Sequence, residues 1–338
     1  MNIFTEEINR GAGSLVKLIT PVSICMLLVV LGMHMNDFYA VHQEKINLEI
    51  LKHVVLPTNP TVSNIAISIS VTALLLAAVI TSTTCLVILY KFEFYKVLNV
   101  WIVSGTVILL FGLGLVRIKE ICVFFNISPS IITVFIIVSN FTALGVIFIH
   151  YKGPLKGQQA YLIVLSGLTA LSILKNLPDW TAWMLLIGMS IWDIFAVLSP
   201  YGPLRFLVET ANERDEPLFP ALLYTSGVIY NCMATPSNTQ GAQNYRSERD
   251  EVKMGLGDFI FYSVLIGKST EFDDWNTVLA SYLAIIVGLI VTIILLAIVG
   301  KPLPALPISV AFGVTFNFCT AHLITDFLNM LTKRQQLI

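Results

Sequence analysis

The chain has 338 residues, 56% of them hydrophobic and only 12% charged, with a formal net charge of −1. Soluble domains carry about twice that share of charge, so the composition excludes a water-soluble globule and predicts an all-α, polytopic membrane protein. A near-neutral balance without a basic stripe argues against a nucleic-acid partner. The five cysteines lack C-x-x-C spacing, which argues against a zinc site or a disulfide framework and favours small buried apolar residues.

At the start of the chain, Glu6 and Glu7 spoil a basic leader, and the first apolar run lacks a small-residue cleavage site; no removable signal peptide is expected. A spanning helix needs about 20 mostly apolar residues. In chain order the runs that meet or approach this are 18–33, 65–90, 97–116, 130–149, 160–174 and 181–198, then 275–299 and 304–324. Residues 255–267 are short, but an odd crossing is needed there for the charge balance, so nine transmembrane helices are expected. They divide the chain into a membrane region 1–198, a cytosolic loop 199–253 and a second membrane region 254–338. With the N-terminus in the cytosol, 12 of the 20 Lys and Arg residues fall inside, which sets the orientation and places the C-terminus in the lumen.

The connection 34–61 would be lumenal. Its histidines His34, His42 and His53 lack the spacing of two ligands on one helical face and read as solvated loop residues. Asn126-Ile127-Ser128 is a glycosylation triplet, but it hugs the third span and precedes Pro129. Within the loop 199–253, Pro200 and Pro203 can start a short interfacial helix with Leu204, Leu207 and Val208 on one face. Residues 218–234 are moderately apolar but broken by Pro220 and Thr225-Ser226-Gly227, which suits a re-entrant segment; 237–251 is polar and expected to be flexible.

Two aspartates flank that loop inside apolar runs. Asp193 lies six residues before Ser199, and Asp258 five after Lys253. At ~1.5 Å per helical residue, both fall about 7 to 9 Å below one membrane surface. An intramembrane carboxylate is expensive and marks a functional site by default. Two carboxyls at one depth on consecutive spans can meet and share a proton, because like charges a few ångströms apart cannot both ionise easily. Such a pair supplies both the base that takes a proton from water and the acid that protonates a leaving nitrogen, which is what peptide hydrolysis requires.

Around Asp258 the run Met254-Gly255-Leu256-Gly257-Asp258 removes side chains beside the carboxyl and loosens the helix start, which suits admission of a peptide and water. Beside Asp193, Trp192 and Phe195 form bulky walls. Lys301-Pro302-Leu303-Pro304-Ala305-Leu306-Pro307 joins the last two spans on the same face. Its three prolines predict extended backbone with free carbonyls that could bind something. Asn317 and His322 in the last span read as packing groups.

These stretches resemble the presenilins, the catalytic subunits of γ-secretase. The resemblance runs from about the first span to the last and is carried by Gln158-Gln159-Ala160-Tyr161-Leu162, Leu177-Pro178-Asp179-Trp180-Thr181, Gly202-Pro203-Leu204-Arg205, Leu218-Phe219-Pro220-Ala221-Leu222, Gly255 to Leu265 and Pro304 to Ser309. It implies a nine-span intramembrane aspartyl protease, without cofactor or metal, that cuts transmembrane stubs of type I membrane proteins, Notch-like and amyloid-precursor-like proteins among them. It further implies Asp193 and Asp258 as the catalytic dyad. Gly255, Leu256, Gly257, Trp192, Pro304, Ala305 and Leu306 would hold substrate, and Met233-Ala234 would mark a self-cleavage point in the loop. Implied partners are nicastrin, two small multispanning subunits and membrane lipid, in the endoplasmic reticulum, Golgi and endosomal or plasma membrane. The chain departs from the family at Trp192, where a Tyr is usual, and at Ser139-Asn140-Phe141, where Trp-Asn-Phe is usual. Rival readings from the residues alone are a cation path lined by the two carboxylates, a signal-peptide-peptidase-like protease, and an assembly scaffold.

Overall fold

A computed structural model describes residues 18–35, 60–92, 94–151, 154–177, 179–198, 223–225, 253–272, 274–299, 305–324 and 330. The proposed loop helix, residues 237–251, His42, His53, Cys232, Met233, Ala234 and Pro304 lie outside them. The helices are α1 (Leu18–Met35), α2 (Pro60–Lys91), α3 (Tyr95–Phe124), α4 (Ile131–His150), α5 (Leu155–Asn176), α6 (Asp179–Leu198), α7 (Leu256–Ser269), α8 (Trp275–Val299) and α9 (Ala305–Cys319). Seven of these are long and apolar enough to cross a membrane; α6 contributes the shorter apolar stretch Trp180–Ala196. The chain is an integral membrane protein in which helices satisfy their own backbone groups, as lipid demands.

The helix α7 has 14 residues, roughly 21 Å against a hydrocarbon thickness of ~30 Å. The 3-10 turn Thr270–Phe272 continues it, adding ~6 Å. The span 255–267 therefore ends two residues later than its apolar run, because Lys268 is carried inside the protein. Lys268 is 1% exposed and pairs with Glu271.

Helix α7 is central. It packs on α5, α6, α8 and α9, and Phe259, Tyr262, Val264, Leu265 and Ile266 are all buried in the core. Polar side chains tie it to its neighbours. Ser263 donates to Cys25 Sγ of α1 at 3.2 Å, and Cys25 Sγ lies 3.1 Å from Ser166 Oγ of α5. Asn317 Nδ2 of α9 donates to Ser269 of α7 at 2.6 Å and to Ser281 of α8 at 3.0 Å. In a membrane such bonds join helices where no water competes. Cysteine behaviour is correspondingly mixed: Cys25 is buried, whereas Cys85 and Cys122 are half-buried and Cys319 is exposed.

The helix α3 runs eight residues beyond the apolar stretch that ended at Val116, carrying Arg117 and Glu120 into the interior. Arg117 Nη1 donates to Glu120 Oε2 at 2.5 Å, and Lys175 Nζ of α5 donates to the other Glu120 oxygen. Pairing is what lets charges extend the helix past its hydrophobic limit. Removing the shared negative charge leaves two cations facing a neutral amide. Glu120→Gln is therefore expected to destabilise the fold by roughly 2–3 kcal/mol, below the usual cost for a fully buried pair because Lys175 keeps water access; the check is thermal unfolding in detergent.

Other local readings change. His34 belongs to α1, where it stacks on Trp275 with ring centroids 5.2 Å apart, so it is no free loop residue. Asn126 adopts φ 56° just beyond α3, and the Ile127 N–H closes the helix end on the Cys122 carbonyl at 2.7 Å. Asn317 and His322 pack as expected, His322 stacking on Phe318 at 6.0 Å.

Candidate active site

The loop returns to the membrane as a strand. Lys253–Gly255 (β2) pairs antiparallel with Leu223–Thr225 (β1), in the register Leu223 with Gly255, Tyr224 with Met254 and Thr225 with Lys253. Three residues of the segment expected to be re-entrant are thus extended. Helix α7 starts immediately afterwards, with Gly255 as its N-cap at φ −67°, ψ 140°. Asp258 consequently sits in the first helical turn. A depth counted at one helical rise per residue does not hold on this side, because extended residues advance ~3.3 Å each.

Helices α6 and α7 pack against each other. Asp193 stands five residues before the end of α6, and Asp258 two residues after the start of α7. Both are partly exposed. A methyl group added at Gly257 would meet nothing within 4 Å, and one at Gly255 would lie 3.9 Å from Asp258 Oδ2. Among the described residues no second backbone fills the place the glycines leave. Trp192 is half-buried and leans on Phe195, ring centroids 5.7 Å apart. Leu256 is half-buried at the helix start.

The proline-rich junction differs from its sequence reading. Ala305 and Leu306 are helical, and Leu306 is 2% exposed in the core beside residues of α7 and α8. Pro307 is tolerated because it occupies the first turn, where backbone N–H groups have no intrahelical partner anyway. The free carbonyls expected over 302–307 do not extend over Ala305–Pro307, which are helical. Leu306 supports the site from inside the core and presents no surface to a ligand.

Sequence reasoning overlooked a cavity of about 560 Å³. Its walls come from α2 (Leu75, Val79), α3 (Leu109, Leu113), α5 (Thr169, Ile173) and α6 (Leu185, Met189), with Phe261 of α7. Met189 precedes Asp193 by four residues and Phe261 follows Asp258 by three, so the cavity lies one helical turn from each carboxyl. Its lining is mostly apolar.

The presenilin family model matches residues 9–251 and 233–328. The chain is 37% identical to "Presenilin sel-12" of Caenorhabditis elegans, over 98% of this chain and 91% of that one. It is 31% identical to the "Presenilin homolog" of Drosophila melanogaster, over 98% and 83% respectively, and 30% identical to "Presenilin hop-1" of Caenorhabditis elegans, over 99% of each. A solved presenilin family intramembrane aspartate protease is similar at a TM-score of 0.47 and 12% identity, covering 89% of this chain and 94% of that one. On the family match and on relatives at this identity over nearly their whole length, the chain belongs to the presenilin family.

Proposed function

We propose that the chain is an intramembrane aspartyl endopeptidase, the catalytic subunit of a γ-secretase-like complex that cuts transmembrane stubs of type I membrane proteins. What supports this reading is the placement of Asp193 and Asp258 on two helices that pack against each other, with residues one turn from each lining a mostly apolar cavity. An apolar cavity on the two aspartate-bearing helices suits a substrate that is itself a hydrophobic helix.

The chemistry follows from one shared proton. The ionised carboxyl takes a proton from water as the water oxygen attacks the peptide carbonyl carbon, while the protonated partner gives its proton to the carbonyl oxygen, leaving a gem-diol. Collapse of the gem-diol breaks the C–N bond as the protonated carboxyl gives its proton to the departing nitrogen and the ionised one takes a proton from a diol hydroxyl, whose oxygen becomes the carbonyl oxygen of the new acid. The pair ends with one proton, as it began. A helical substrate must first unwind, since its carbonyls are hydrogen-bonded and shielded. An extended segment in lipid then needs backbone partners. The outer edge of β2 supplies them three residues from Asp258, by strand addition.

In this reading nicastrin and two small multispanning subunits accompany the chain, the loop 199–253 is cut near Met233-Ala234, and substrates are Notch-like and amyloid-precursor-like proteins in the secretory and endosomal membranes. The test is to purify the full chain with its natural partners, add a transmembrane stub and identify products by mass spectrometry. Cleavage inside the membrane-spanning stretch is expected. An intact substrate together with cation flux through reconstituted vesicles would replace this reading with the channel.

A further inference from the structure

The cavity and the two carboxyls share helix faces. On α6, Leu185, Met189 and Asp193 follow one another at intervals of four, so they stand in one row, one turn apart. On α7, Phe261 comes four residues after Gly257 and three after Asp258, which aligns it with both. Leu185, Met189 and Phe261 line the cavity. Among the described residues, a methyl group added at Gly257 would meet nothing within 4 Å. Helices α6 and α7 pack against each other, so Met189 and Phe261 are the last wall residues along each helix before the carboxyls. Both are half-buried.

Met189 precedes Asp193 on the helix that runs out of the bilayer into the loop 199–253, and Phe261 follows Asp258 on the helix that runs back in. The cavity therefore lies on the membrane-interior side of the carboxyls, and β2 on the loop side. With that loop cytosolic, a type I stub has its N-terminus on the far side of the membrane. It presents to the cavity the residues N-terminal to its scissile bond, and to β2 those C-terminal to it. The cavity measures about 560 Å³. A helix with its side chains is ~10–12 Å across, so this volume holds roughly 5–7 Å of it, about one turn. A peptide carbonyl seated at the carboxyls brings the side chains of the preceding turn within reach of residues one turn from those carboxyls. We propose that Met189 and Phe261 are specificity-determining residues: they bound the space for the substrate turn N-terminal to the cut, and so select segments with slender aliphatic side chains there against aromatic ones. This rests on the protease reading above and names the segments its site accepts.

The test uses the full chain in its complex and pairs of transmembrane stubs that differ only in Val or Phe at one of the three residues before the cut. Both stubs compete in one mixture, and mass spectrometry counts products of that cut alone. The ratio of their kcat/KM values is then independent of how much enzyme is active. The parent is expected to prefer Val ~10-fold at one or more of these positions, as a filled apolar pocket does. Met189→Ala and Phe261→Ala are each expected to bring that ratio to within about threefold of unity. The same exchange made three residues after the cut gives a ratio that neither variant moves. A parent without preference at any position overturns the proposal, as does either variant keeping the parent's ratio, or an equal shift on the C-terminal side of the cut. Should Phe261→Ala fail to accumulate, Phe261→Leu decides by the same criterion. Asp258→Ala is run alongside. If it still cleaves, the protease reading fails; if it is inactive while the ratios stay unmoved, only the size selection fails.

Discussion

Asp193→Ala and Asp258→Ala are each expected to abolish cleavage while the protein still assembles. Each substitution deletes one half of a pair that must hold a single proton between two carboxyls, and general acid–base groups contribute on the order of 10²–10⁴-fold apiece. The losses do not add, because a dyad works as a unit: either single variant is expected to be about as inactive as the double. Folding should survive, since Asp193 and Asp258 are both partly exposed and the packing of α7 rests on Phe259, Tyr262, Leu265 and Ile266. The readout is product appearance by mass spectrometry, together with the amount of complex recovered. Substantial product from either variant would falsify the dyad assignment. Loss of product from Asp193→Ala alone would point to a single-carboxyl site instead.

Lys253→Pro carries the second large effect. Proline removes a backbone N–H and is poorly tolerated inside a sheet. Lys253 is paired with Thr225 in β2, and the strand runs directly into the Gly255 cap of α7. Disrupting it removes the edge to which an extended substrate would add and loosens the turn that presents Asp258. Cleavage is expected to fall ~10- to 100-fold, a loss of one or two hydrogen bonds in a water-poor site. Binding of a compact transition-state mimic should fall much less. Lys253→Ala keeps the N–H and is the matched control, expected to cleave nearly as well as the parent. Equal cleavage by the proline and alanine variants would refute strand addition at β2.

How much of this was legible beforehand depends on where the controlling energy resides. The cost of a charge in hydrocarbon belongs to one residue and its few neighbours in the chain. That is why Asp193 and Asp258 stand out of apolar runs without any structure, and why the long spans were identifiable from length and composition alone. Their ends were less legible. Helix α3 outran its apolar stretch because Glu120 meets Lys175, 55 residues later, and Lys268 entered the interior because Glu271 answers it.

Sequence by itself therefore determined that this is a helical membrane protein of the presenilin family with two intramembrane carboxyls beside one loop. Backbone groups in lipid have no alternative to the helix, and that constraint acts on every residue separately. Only the tertiary structure decided that Leu306 turns into the core, that Leu223–Thr225 pairs with Lys253–Gly255, and that residues one turn from each carboxyl line a mostly apolar cavity. Each of these depends on which helices become neighbours. Neighbourhood is settled by close packing of surfaces contributed from across the whole chain, and no short window of residues contains it.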